Sequence, residues 1–203
     1  IIVIPYIPVK NIFNIKIMKP QLKKFMEAIG KDAVAIIPAA HEQTRSYDTE
    51  FKFRQDNDFL YLTGFPEPDA IAVIAPSSKK TPLTMYVRPS DPLMETWYGR
   101  REGVDGAKKN YAVDKAVAIE KFAKEFGKLI DGHDKLYYRF GLDKALDEMI
   151  LGYFSGQRHR RLKTAYPPHT IIDPTLLIGE MRLHKTPEEI ALMQKAGDIA
   201  AEA

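Results

Sequence analysis

The chain has 203 residues, 45% apolar and 28% charged, which is enough for one generous domain or two small ones with a real core. Ten Tyr and ten Phe exclude wholesale disorder, while 30 Lys plus Arg against 27 Asp plus Glu leave a net charge of +3, too small to imply a nucleic-acid partner. The absence of cysteine excludes disulfides, thiolate zinc sites, iron–sulfur clusters and a cysteine nucleophile, and it fits a reducing, cytoplasmic setting.

Residues 1–17 are rich in Ile and Val but interrupted by Pro5, Pro8, Lys10 and Lys16. The stretch is too short and too broken to span a bilayer and lacks a secretion signal's pattern, so it reads as a leader or non-native segment. Leu22, Phe25, Met26 and Ile29 then recur at helical spacing, and Gly30 supplies the stop, which predicts an amphipathic helix over 19–29. Short apolar or aromatic runs bounded by Gly, Pro, Asp or Ser predict strands at 33–37, 59–63, 70–75, 83–87 and 135–140. Asp91 as N-cap, Pro92 at the first helical position and Gly99 beyond the end predict a short helix around Trp97, the only tryptophan. A lone Trp usually belongs to a core, but Glu95, Thr96, Tyr98, Arg100 and Arg101 surround this one with polar groups and favour an interface or ligand-facing role.

Ile119, Phe122, Phe126, Leu129 and Ile130 predict a further helix, and residues 142–154 another, ended by Ser155 and Gly156. Near the end, Thr186, Pro187 and Glu189 form a capping box, and Ile190, Met193, Gly197 and Ala200 mark one helical face. That helix meets no stop signal before Ala203, so it is expected to belong to a longer chain. Strands mixed with helices predict an α/β fold with a mixed central sheet flanked by helices.

Catalytic signatures are absent. The five histidines are scattered, and the neighbours His41–Glu42 and His133–Asp134 are expected to point apart, so no metal site is expected within this chain. No nucleophile elbow, phosphate-binding loop or dinucleotide fingerprint occurs. The dense basic run at 157–163 lacks aromatic interleaving and reads as a solvated loop or an acidic-partner contact.

Arg45, Ser46 and Asp48, followed by Phe51, Phe53, Arg54, Gln55, Phe59, Tyr61, Leu62, Thr63, Gly64, Phe65, Glu67, Pro68, Asp69 and Ala70, form a long ordered block. Together with Trp97-Tyr98-Gly99-Arg100-Arg101 and Glu180-Met181-Arg182-Leu183, this block resembles the N-terminal domain of Xaa-Pro aminopeptidases (aminopeptidase P). In the block itself, residues 59–63 read as a strand and Gly64 as a tight turn, with Arg54, Gln55 and Glu67 as internal hydrogen-bond partners pinning the corner and Pro68 holding it extended.

The resemblance implies a six-stranded, ribonuclease H-like sheet over 18–179, with 180–203 as linker and first helix of a catalytic domain. That second domain would hold two divalent metal ions, usually manganese, and hydrolyse the bond preceding a penultimate proline in a peptide. It also implies a homo-oligomer, dimer or tetramer, in which Trp97 reaches a neighbouring subunit's site and Arg158, Arg160 and Arg161 lie near the entrance. No metal ligand or catalytic residue is carried over to this chain. Two rival readings are a stand-alone peptidase-like binding module and the N-terminal domain of a prolidase.

Overall fold

A computed structural model describes residues 20–157 and 166–202. The segment at 1–17 and the basic residues Arg158, Arg160 and Arg161 lie outside the described residues.

The fold grows from one strand. β1 (Ala33–Pro38) is apolar at every position and buried at every position, as a strand covered on both faces must be. Ala33, Ala35 and Ile37 enter one core and Val34 and Ile36 the other. β1 pairs antiparallel with β4 (Ile71–Ile74), which pairs antiparallel with β5 (Leu83–Val87). Parallel pairing adds β6 (Lys115–Ala118) beside β5, then β7 (Lys135–Tyr137) and β8 (Thr170–Ile172) on the far side of β1. The mixed sheet thus runs β6-β5-β4-β1-β7-β8. A separate hairpin, β2 (Thr44–Ser46) and β3 (Thr49–Glu50), stands exposed outside it.

Helices cover both faces. On one, α1 (Pro20–Ile29) contributes Leu22, Phe25 and Ile29, α2 (Asn57–Thr63) Phe59 and Leu62, α4 (Gly103–Asn110) Ala107, and α7 (Thr175–Leu183) Ile178 and Met181. On the other, α5 (Phe122–Ile130) lays Phe122, Phe126 and Ile130 against the sheet, beside Leu146 and Ile150 of α6 (Lys144–Gln157). Tyr86, Phe122, Phe126 and Tyr153 stack edge to face, with centroids 5.0, 5.8 and 5.2 Å apart along the series. Two helices stand apart from these layers: α3 (Pro92–Tyr98) and α8 (Pro187–Glu202), neither of which has a buried residue.

One predicted strand is a helix. Residues 59–63 have strand-like composition, but they lie in α2. The Asp56 carboxylate accepts from the amides of Asp58 and Phe59, both at 2.9 Å, and nucleates the first turn. Gly64, at φ 71°, closes the last turn by donating to the Leu60 carbonyl at 2.8 Å. Phe59 and Leu62 then fall on one face at helical spacing, so capping and packing override the β-propensity of the aromatic residues.

Candidate functional site

The corner that follows α2 is built on Gln55, which is only 8% exposed. Its carbonyl oxygen accepts from the amides of Ala40 at 2.8 Å and Asp56 at 2.9 Å, and its amide nitrogen donates to the carbonyls of Glu67 at 2.7 Å and Phe65 at 3.3 Å. A single side chain therefore joins the end of β1, the start of α2 and the chain leading to β4. Pro68 is buried in the same connection, while the half-buried Glu67 accepts from the Glu102 amide at 2.7 Å. Arg54 is not part of this network: it is exposed, because in the extended run before α2 successive side chains point to opposite sides and Gln55 takes the inner one. Tyr111 packs edge-on against Phe65 at 5.0 Å, and burial, followed by the Glu102 and Glu67 carboxylates, pushes its hydroxyl up to about 12.

Through Glu67 the corner holds the segment after α3. Asp91 caps α3 by accepting from Leu93 at 3.1 Å and Met94 at 3.3 Å, and the Ser90 hydroxyl donates to Glu95 at 2.7 Å. That hydroxyl is the main reason the Glu95 carboxyl is held below its usual range. The helix presents Trp97 at 80% exposure and Tyr98 at 61%. A core role for the only tryptophan is thereby ruled out, and the ring stands on an outward-facing platform anchored by the Gln55 corner. Tyr47 and Phe51, at the β2–β3 hairpin, are also exposed apolar groups.

A second surface lies where α8 meets α2 and α7. The capping box forms as the spacing predicts, with the Thr186 amide donating to Glu189 at 2.8 Å and the Glu189 amide to the Thr186 hydroxyl at 3.2 Å. Gln21 of α1 donates to Glu189 at 3.2 Å, and Arg182 pairs with Asp58 at 2.7 Å. An open groove of about 580 Å³ remains, lined by Tyr61, Arg182, Lys185, Glu189, Leu192 and Met193. Ile190, Met193 and Ile199 are each more than half exposed along α8.

Among the described residues, no group of three or more His, Asp or Glu is placed to hold a metal ion. The corner's Gln55 spends its polar atoms on backbone groups, the α8 surface is mostly apolar, and both ring nitrogens of His41 already face carboxylates. No helix among the described residues is long and apolar enough to cross a membrane.

Comparison with known proteins gives one consistent result. Residues 19–138 match the family model described as the aminopeptidase P N-terminal domain. Xaa-Pro aminopeptidase of Escherichia coli is 36% identical over 177 residues, covering 87% of this chain and 40% of the relative. Among solved structures, aminopeptidase PepP of Pseudomonas aeruginosa superposes with a TM-score of 0.84 at 33% identity, covering 90% of this chain and 41% of that one. The low-pH form of E. coli aminopeptidase P gives 0.82 at 35% identity. The chain thus spans about two fifths of the length of the relatives it matches. With the mixed six-stranded sheet, the capped α2 corner and a sequence match across more than half its length, the chain belongs to the aminopeptidase P N-terminal domain family.

Proposed function

We propose that this chain is the non-catalytic N-terminal domain of a metal-dependent Xaa-Pro aminopeptidase, a cytoplasmic hydrolase that removes an N-terminal residue preceding proline. The observation that carries the reading is the agreement in sequence and fold with aminopeptidase P over about nine tenths of this chain and two fifths of the relative. The domain extends over 18–179, after a leader at 1–17, and 180–203 form the linker and first helix of the catalytic domain. α8, which buries none of its own residues on the sheet and offers an apolar face to a neighbour, supports its assignment to the catalytic domain, whereas α7 runs across residue 179 to Leu183 with Met181 in the core, so the chain leaves the sheet only after Leu183.

The catalytic domain is the first partner, and it carries two divalent metal ions, manganese in this reading. The second partner is another copy of the protein in a dimer or tetramer, where Trp97, Arg158, Arg160 and Arg161 line subunit contacts and the approach of the peptide. Gln55, Gly64, Glu67 and Pro68 have a structural role at the corner, which Arg54, exposed outside the Gln55 network, does not share.

The decisive experiment follows the gene's reading frame past Ala203 and assays both lengths on Xaa-Pro peptides with manganese and with a chelator. The longer protein is expected to supply two Asp, one His and two Glu as ligands and to be active, and the 203-residue chain to be inactive. Metal-dependent turnover by the short chain, or a longer frame without such a ligand set, overturns the reading.

A further inference from the structure

At the end of the sheet where β1, β5 and β7 finish, charged side chains from four separate connections converge. His41 follows β1, Asp69 precedes β4, Arg88 follows β5 and Asp143 precedes α6. The Nδ1 atom of His41 lies 2.6 Å from the Asp69 carboxylate, and its Nε2 lies 3.0 Å from that of Asp143. Arg88 lies 3.4 Å from Asp69 and 3.3 Å from Glu42. The neighbouring Asp147 on α6 is turned elsewhere, accepting from the Tyr138 hydroxyl at 2.6 Å and the Gly141 amide at 2.9 Å. Asp69, Asp143, Glu42 and Arg88 are therefore the charged groups around the ring, and carboxylates occupy both of its nitrogens.

An imidazole can donate from both nitrogens only when it is protonated. Neutral, it keeps one N–H and turns a lone pair toward the other carboxylate, so one of the two bonds becomes a repulsion. The bond to Asp69 is the shorter, and Asp69 is held in place by Arg88 and by its own amide, which donates to the Ala40 carbonyl at 3.1 Å. Asp143 has an independent task as cap of α6, accepting from the Leu146 amide at 3.0 Å. The contact to Asp143 is the one that fails.

We propose that His41 is a proton-operated latch: protonated, it fastens the connection between β1 and the β2–β3 hairpin to the start of α6, and neutral, it releases α6 while keeping Asp69. Partial burial pulls the ring's pKa down, but the hydrogen bonds and charges of Asp69 and Asp143 outweigh it and leave it above the ordinary 6.5. Asp143 is correspondingly held below its usual value, with its backbone contact to Leu146 and the His41 ring overcoming burial. A raised histidine pKa stabilises the closed arrangement fully below 6.5, and that contribution is lost as pH rises through the folded value. Across that window the opening equilibrium grows by up to about tenfold per pH unit.

The test uses the 203-residue chain and two readouts that do not depend on peptidase activity or on assembly. Imidazole NMR, with His41→Gln assigning the resonance, is expected to show His41 titrating above 6.5. Asp143→Asn, which keeps a capping oxygen for α6, is expected to bring that titration down. Amide protection factors at 41–44 and 144–147 are expected to fall from pH 6 to 9 in the wild type and stay level in His41→Gln. A His41 that titrates at or below 6.5, a titration unmoved by Asp143→Asn, or identical protection profiles in wild type and His41→Gln each overturn the latch.

Discussion

Gln55 shows how a single polar side chain can hold three pieces of backbone. Its four hydrogen bonds are made to main-chain groups, and it is nearly fully buried, so removing it strands donors and acceptors that water cannot easily reach. Gln55→Ala is expected to lower unfolding stability by about 2 to 3 kcal/mol, measured by urea titration. Gln55→Glu keeps the accepting oxygens but loses the donors to Phe65 and Glu67, and is expected to lose a substantial part of that stability. Asp56 acts more locally, through two amides of one helical turn, and Asp56→Ala is expected to cost only about 1 kcal/mol. If the two alanine variants were equally destabilised, the corner would owe its rigidity to α2 rather than to Gln55.

The element scale separates helices that are built in from helices that are attached. α5 and α6 approach closely at Gly127: a Cβ there would meet the Tyr153 hydroxyl at 2.7 Å and its ring at 2.8 Å. Tyr153 has little room to give way, because its hydroxyl donates to Asp131 at 2.6 Å and its ring stacks on Phe126. Gly127→Ala is therefore expected to destabilise by about 1 to 3 kcal/mol despite alanine's better helix propensity, and pairing it with Tyr153→Phe should restore part of the loss. α8 is the contrasting case. Its capping box and the Gln21 contact secure the first turn, but beyond it none of the described residues of this otherwise marginal helix is buried, and the Gln194–Asp198 hydrogen bond at 2.7 Å stays within the helix. Hydrogen exchange is expected to find the amides of 191–202 far less protected than those of β1 and β4, and Thr186→Ala to accelerate them further without moving the global melting temperature. Protection in α8 equal to that of the central strands would show that the helix needs no further partner.

For the whole molecule, the arrangement is a rigid sheet with two outward-facing surfaces, α3 with Trp97 and the α7–α8 groove. Because the Trp97 ring touches so little of its own domain, Trp97→Ala is expected to shift the melting temperature hardly at all, a change within about 0.5 kcal/mol. Its fluorescence in the monomer should be red-shifted and readily quenched by iodide. If a longer protein assembles and cleaves Xaa-Pro peptides as proposed, the same substitution in it is expected to weaken subunit association and reduce turnover of long peptides, visible by sedimentation and by kcat/KM. A variant that unfolds, or one whose longer protein assembles and turns over normally, would remove Trp97 from the interface.

The local pattern was enough for elements whose information is contained within a few residues. The capping residues Asp91 and Thr186, the stop at Gly30, the buried run of β1 and the boundaries of β5 were all legible because caps, turns and continuous apolar runs act over one or two turns of chain. Family membership was legible as well, since the block from Arg45 to Ala70 carries a dense set of residues in fixed order. The hydrophobic pattern failed at 59–63, where aromatic residues suit either period and the Asp56 cap decided for the helix. β6 and β8 were not visible because each is an edge strand of three or four residues whose pairing comes from a distant neighbour. The convergence of His41, Asp69, Arg88 and Asp143 could not be read at all, because no sequence spacing relates four connections brought together only by the sheet order. Local free energies are written in neighbouring residues, whereas the meeting of charges 28 and 102 positions apart is decided by the topology that folds around them.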